Sequence, residues 1–391
     1  MSNELCSQFP RCGGCAWQDM TYAAEIEMKT KKVLTLLSEA GIEDFEFLGC
    51  FEAQNADSYR NKMEFNFGDE GMDSSIQLGM RKRKSRYEVS DGSKCLICDE
   101  DMRLCAEVIR DYFIETGMDA FYNKTRHTGS LRNAIIRKAF FTGEIMVNFV
   151  TTSDLKSPLE PLVERLLALG TKGVIKTILH TLNDTVADAI KPDSQPVILF
   201  GEPFIREELL GLTFKISPFS FFQTNSLGAS ELYKTVVDFA GDVSDCKKIY
   251  DLYCGTGTIA QILASSAEEI VGVELVEEAV EAAKQNAELN GLSNCKFIAA
   301  DVLKFLEDEP IDGRDCLVVV DPPRDGLNPK ALAHLINAGV EKIVYVSCKP
   351  SSLARDLAVF IQNGYRAVKI KCHDMFPRTD NIETVCLIVK D

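Results

Sequence analysis

The sequence predicts an α/β chain in two parts: an N-terminal α+β half, and a C-terminal half in which strands and helices alternate along an open parallel sheet. Two observations carry this. From Lys248 onward, short β-branched apolar runs at 249–252, 269–273, 295–300, 316–320 and 342–346 alternate with segments of helical periodicity. Upstream the pattern differs, because Met63, Phe65 and Phe67 alternate with Glu64 and Asn66 as in a half-buried strand. At 391 residues the chain exceeds one ordinary core. The expected division is 1–214 and 215–391.

Composition narrows the function classes. With 46% hydrophobic and 26% charged residues the chain reads as globular. The opening MSNELCSQFP lacks a secretory pattern, and no apolar run approaches the roughly 20 residues that span a bilayer. A cytoplasmic monomer with no membrane partner is expected. The net charge of -16 argues against a protein that coats nucleic acid nonspecifically. Local basic patches remain in Arg81, Lys82, Arg83, Lys84 and Arg86, and in Lys124, Arg126, Arg132, Arg137 and Lys138. Fourteen cysteines in a reducing compartment point to metal binding or catalysis rather than to disulfides.

In chain order, Cys6, Cys12 and Cys15 form C-x5-C-G-G-C, whose glycines let the backbone fold tightly between thiolates. A fourth ligand must be remote, from Cys95 or Cys98, and zinc in a four-cysteine site is the rival to an iron-sulfur cluster. A helix is expected over 22–40 and another over 102–116, with strands at 63–67, 75–80, 133–141 and 145–150. A helix at 159–169 and a strand at 174–182 follow. The aromatic run Phe219 to Asn225 then leads into a helix at 227–240.

The C-terminal half carries the ligand signal. A strand runs into Cys254-Gly255-Thr256-Gly257, and acidic residues stand at or near three successive strand ends, Asp251, Glu274 and Asp301. Backbone room at the glycines with carboxylates for ribose and base suits an adenosine ligand. The turn lacks the third glycine of the dinucleotide fingerprint and the Lys-Ser/Thr of a P-loop, so S-adenosylmethionine is preferred over NAD or ATP. The fourth strand ends in Asp321-Pro322-Pro323-Arg324, and the fifth in Ser347-Cys348-Lys349-Pro350. A thiol at the ligand edge beside Lys349 is expected to gain thiolate character; the same pattern also fits an inert buried cysteine. Glu383 stands at the start of a last strand.

Together the motifs CGGC, YRNK, FFQTN, DLYCGTGT, VDPPRDGL, VSCKP and MFPRTDNIE resemble the RNA uridine C5-methyltransferase family, in order and over nearly the whole chain. The resemblance implies a Rossmann-like class I methyltransferase domain behind an N-terminal α+β domain that binds RNA and an iron-sulfur cluster. It implies Cys348 as nucleophile and Glu383 as base. Gln223, Tyr253, Gly255, Glu274, Asp301 and Asp321 match cofactor-site positions, and Cys6, Cys12, Cys15 and Cys95 match ligands of a [4Fe-4S] cluster. Two departures stand out. The few residues before Cys6 leave no room for a TRAM-like barrel, and Asn381 replaces the usual histidine two residues before the glutamate. The cluster cysteines favour 23S rRNA as partner over tRNA. A small-molecule methyltransferase with a structural metal site is the remaining alternative.

The chemistry is consistent with these residues. Carbon 5 of uracil is a poor nucleophile, so a thiolate added at carbon 6 builds an enolate that can take a methyl group from a sulfonium. A base must then remove the carbon 5 proton.

Overall fold

The computed structural model describes residues 5–71, 75–85, 87–187, 190, 195–241 and 246–391. Arg86 of the basic run lies outside the described residues. The chain begins with α1 (Tyr22–Glu39), where Thr21 caps the first turn by accepting the Ala24 N–H. Ile26, Val33 and Leu37 give the helix its apolar stripe, but Glu25 and Lys29 are buried on it as well. β1 (Glu46–Phe51) and β2 (Lys62–Gly68) follow, then β3 (Gln77–Arg81), β4 (Val89–Asp91), α2 (Glu100–Thr116), β5 (Leu131–Lys138) and β6 (Glu144–Thr151). Next come α3 (Glu160–Leu167), β7 (Val174–Leu182), β8 (Val197–Gly201), β9 (Ile205–Leu209) and β10 (Leu212–Ile216).

Seven of these strands form one sheet in the order β4-β3-β2-β5-β6-β7-β8, antiparallel except for the β6–β7 pair that α3 connects. One face carries Met63, Phe65 and Ile136 against Met102 and Phe113 of α2 and Leu162 of α3. From the other face Met146 and Leu179 enter a core shared with β9, β10 and the C-terminal half. That sharing explains why β5 and β6 are buried along almost their whole length rather than alternating.

The second sheet uses α4 (Ser226–Ala240), β11 (Lys248–Leu252), α5 (Thr258–Ile262), β12 (Glu269–Glu274), α6 (Glu277–Leu289), β13 (Cys295–Ala299), α7 (Val302–Asp308), β14 (Cys316–Val320) and α8 (Pro329–Ala338). It closes with β15 (Lys342–Ser347), α9 (Pro350–Gln362), β16 (Tyr365–His373) and β17 (Glu383–Lys390). The order is β1-β16-β17-β15-β14-β11-β12-β13. The strands from β15 to β13 are mutually parallel, whereas β17 is antiparallel to both its neighbours. Period-2 alternation sorts the apolar residues: Leu317 and Val319 face the helices α4, α5 and α6, and Val318 and Val320 face α1, α7, α8 and α9. The alternation of strand and helix expected from Lys248 thus holds through α9 and ends in a strand pair.

β1 was not expected. It comes from the N-terminal half yet pairs parallel with β16 at the sheet edge, Glu46 opposite Lys369 and Phe51 opposite His373. Its exposure pattern lacks a clean period of two, and a pairing across more than 300 residues leaves no local signature.

Gly79 illustrates how tightly the β3–β4 edge is drawn, since a Cβ there would lie 1.7 Å from the Ser90 carbonyl oxygen. Gly79→Ala is therefore expected to destabilise the chain by about 1–3 kcal/mol through forced separation of β3 and β4. A thermal melt of the variant beside the parent protein checks this; an unchanged midpoint contradicts the close approach.

Candidate active site

The strand order reverses between β11 and β14, so their C-terminal ends open a crevice. β11 leaves the sheet through Tyr253, whose φ of 68° is left-handed, followed by Gly255 and Gly257, also at positive φ. A Cβ on Gly257 would lie 2.5 Å from the Phe297 ring, so only glycine fits; around Gly255 the space is open. Glu274 at the end of β12 braces this turn, accepting the Gly255 N–H at 3.1 Å and the Val276 N–H at 2.9 Å. A carboxylate offers about four acceptor sites, which leaves capacity for ribose hydroxyls. Asp301, after β13, caps α7 by accepting the Lys304 N–H and lies near Tyr253, whose phenol is pushed up to about 12 by burial and by that carboxylate. Asp251, by contrast, is wholly buried beneath the turn and accepts the Ala260 N–H at 2.9 Å. Of the three acidic strand ends it supports the turn from below.

The second half of the site is made by the antiparallel strand. Ser347 pairs with Thr384, so Cys348, one residue beyond β15, and Glu383, the first residue of β17, meet at the same sheet edge. Ser347 closes the exit turn with its own hydroxyl, which accepts the Lys349 N–H at 3.2 Å. β14 ends beside them because Pro322 and Pro323 have no N–H to continue the ladder. This places Asp321 near Cys348 and Glu383. Gln223 joins the same group by hydrogen bonding to Tyr233 of α4, a buried phenol that feels the charges of Asp321, Asp251 and Glu383.

Electrostatics here depart from the expectation built on Lys349. Burial pushes the Cys348 thiol up to about 11, and the carboxyls of Glu383 and Asp321 add to the rise. A cation that opposes it is Arg324 of the Asp-Pro-Pro-Arg turn. Burial raises Glu383 to about 8, with Asp321 adding and Arg324 opposing, and raises Asp321 to about 7. Arg324 and Tyr233 carry no role in the sequence reading. Arg324 lies inside the VDPPRDGL motif; Tyr233 lies on an ordinary apolar helix stripe and gives no local signal.

The predicted metal-site cysteines are brought together elsewhere. Cys6, Cys12, Cys15 and Cys95 line one cavity with Phe9 and Met80 among its walls. Cys15 is raised to about 11 and Cys95 to about 12, by burial and then by the neighbouring thiols. Cys98 is not in that lining and lies fully buried in the core under the seven-stranded sheet. Among the described residues no three His, Cys, Asp or Glu side chains converge tightly enough to form a ligand group for one metal ion. The basic run belongs to this region. Arg83 donates to the carbonyls of Cys12 and Cys15, Gly13 N–H bonds to Arg81 O at 3.0 Å, and Lys82 pairs with Glu88 at 3.5 Å. Lys82 and Arg83 thus brace the cysteine loop and its flanking strand, while Arg83 and Lys84 stay exposed.

Known proteins resemble this chain over nearly its whole length. A family model described as tRNA (uracil-5-)-methyltransferase matches residues 190–391. An uncharacterized RNA methyltransferase of Caldanaerobacter subterraneus is 47% identical over 385 residues, 98% of this chain and 84% of the relative. Another from Clostridium acetobutylicum is 45% identical, covering 98% and 83%. The crystal structure of the Pyrococcus abyssi tRNA (uracil-54, C5)-methyltransferase in complex with S-adenosyl-L-homocysteine superposes with a TM-score of 0.79 at 28% identity, covering 97% of this chain and 86% of that one. The chain belongs to the RNA uracil-5-methyltransferase family and is an S-adenosylmethionine-dependent RNA methyltransferase.

The raised Glu383 has a consequence for stability. Folding favours its neutral form, so its contribution is full below about pH 4.5 and is lost as pH rises through about 8. Glu383→Gln is expected to melt higher than the parent protein at pH 8, by an amount worth more than about 1 kcal/mol, with the gap closing near pH 4. Melting curves across that range test it; a gap that grows toward acid pH contradicts the assignment.

Proposed function

We propose that this methyltransferase places its methyl group on carbon 5 of a specific uridine in 23S rRNA, through a covalent bond between Cys348 and carbon 6. The observation that carries this is the meeting of Cys348 and Glu383 across the β15–β17 pair, with Asp321 beside them. S-adenosylmethionine, when bound, supplies the electrophilic methyl and leaves as S-adenosylhomocysteine. Gly255, Tyr253, Glu274 and Asp301 are the groups proposed to hold its adenosine part, with Gln223 and Asp321 closer to the reacting atoms.

The residues act in sequence. Cys348, half-buried at the sheet edge, gives up its thiol proton to solvent and its sulfur bonds to carbon 6, moving an electron pair onto carbon 5 and the neighbouring carbonyl. Carbon 5 takes the methyl group and still carries its proton. Glu383, as carboxylate, removes that proton; the electron pair restores the 5,6 double bond and the carbon–sulfur bond breaks, returning the thiolate. A carboxyl that titrates near 8 is a stronger base than an ordinary one and is close to the optimum for a general base at neutral pH. The target base must leave its stack, because neither face of carbon 6 is open inside a helix.

Cys6, Cys12, Cys15 and Cys95 are the proposed ligands of a [4Fe-4S] cluster. What supports this is that all four line one cavity; zinc in a four-cysteine site is the rival occupant. Methyl transfer from a sulfonium needs no electrons, so the role is structural. Thiols held this high ionise only against a compensating cation, so ligation should carry protons away. Transfer RNA is the second reading, favoured by the likeness of the whole chain to the Pyrococcus abyssi tRNA (uracil-54, C5)-methyltransferase.

Two measurements test these proposals. With RNA carrying 5-fluorouridine and the methyl donor, the wild type should form an adduct stable on a denaturing gel, since fluorine leaves Glu383 no proton to remove, and Cys348→Ala should form none. Run in parallel on 23S rRNA and tRNA transcripts, labelled methyl transfer should favour the former; transfer to tRNA alone would establish the second reading. Protein purified anaerobically should contain about four irons, whereas one zinc and no iron refutes the cluster.

A further inference from the structure

The connection between β16 and β17, residues 374–382, delivers Glu383 to the sheet edge, and it is held from the N-terminal half by a charge group outside the site described above. Lys29 of α1 is wholly buried and uses its ammonium three ways: to Glu25 Oε1 at 2.8 Å, to Asp374 Oδ1 at 2.7 Å, and to the Phe376 carbonyl at 3.2 Å. Glu25 and Asp374 are buried as completely. With Arg378, whose guanidinium lies 3.7 Å from Glu25 Oε2, the group has two charges of each sign.

Arg378 shows what the group does to the backbone. Its φ of 68° is left-handed, a conformation that a non-glycine residue keeps only where its surroundings dictate it. Those surroundings are explicit. The Arg378 N–H donates to Glu25 Oε1 at 2.7 Å, and its carbonyl accepts from Ala16 N at 2.7 Å and Trp17 N at 3.2 Å, directly after Cys15. The Tyr59 hydroxyl adds a bond to the next carbonyl back, that of Pro377, at 3.0 Å. Cys348 has no part in this, since it is set by β15 and the turn into α9.

We propose that Glu25 and Lys29 are positioning residues for the proton-abstraction step, holding the 374–382 loop so that the Glu383 carboxylate reaches the carbon 5 proton. The assignment rests on the mechanism proposed above and separates its two halves. Thiolate addition depends on β15, while adduct release depends on a loop that α1 fastens. A displacement of about 1 Å in such a group can slow its step about 100-fold. The effect therefore falls on release and spares formation.

The test uses the full chain with Lys29→Met and Glu25→Gln, unmodified substrate RNA and methyl donor, following the covalent complex by rapid quench and denaturing gel. Both variants are expected to bind S-adenosylhomocysteine within about twofold of wild type and to form the complex at the wild-type rate. Release of methylated RNA should slow about 100-fold, so that the adduct accumulates on ordinary uridine as in Glu383→Gln. Should Lys29→Met fail to fold, Glu25→Gln carries the test, being isosteric while losing the ion pairs with Lys29 and Arg378 that fasten the loop. Release at the wild-type rate, or formation and release slowed in parallel, overturns the assignment while leaving the mechanism standing. A wild type that forms no adduct with 5-fluorouridine RNA overturns the mechanism and the assignment together.

Discussion

The antiparallel insertion of β17 between β15 and β16 is the constraint on which the catalytic arrangement depends. In an all-parallel sheet every strand presents its C-terminal end to the ligand edge, and a residue at the start of a strand lies at the opposite edge. Reversing one strand brings its first residue, Glu383, to the ligand edge beside the last residues of β14 and β15. Two ends and one beginning then converge, and a thiol and two carboxyls share one small region without a long loop to carry any of them. The reversal requires the chain to turn between β16 and β17, and the 374–382 connection, braced by Glu25 and Lys29, is that turn.

Three acidic or thiol groups in a half-buried pocket make a site poised against ionisation. Cys348, Glu383 and Asp321 are all held up by burial, and each negative charge that forms discourages the others. Arg324 offsets this only in part. A sulfonium bound at the proposed cofactor residues would bring a positive charge to the same pocket, which favours both the thiolate and the carboxylates. The same burial that holds the Glu383 carboxyl up makes its charged form costly to the fold at neutral pH.

The N-terminal half does more than extend the surface. It lends β1 to the edge of the larger sheet, buries α1 against α9 and the β14–β15 core, and fastens the loop ahead of Glu383. Its cysteine loop is fixed by Arg81, Arg83 and the start of the Arg378 contacts, so the four thiols lie close to that loop's anchor. Basic residues that look like a nucleic-acid patch in the sequence are in part the framework of this corner.

Local patterns determined much of this protein in advance. Period-2 and helical periodicity placed the strands of the C-terminal half, and the glycine turn, the acidic strand ends and the motif set pointed to residues that the fold brings to one edge of the sheet. These are signals that sit in short stretches because they reflect what each stretch must do alone: alternate its faces, turn, or end a strand. What only the tertiary structure decided is how distant stretches meet. β1 pairs with a strand more than 300 residues away, Cys95 and not Cys98 lines the cavity with the other three thiols, and Arg324 of a neighbouring strand end acts on Cys348. Lys29 and Glu25 carry no signal in the helical periodicity of 22–40, and the fold buries them against Asp374 and Arg378. A charge's role depends on its solvent exposure and on the sign of its neighbours, and neither is written in the residues beside it along the chain.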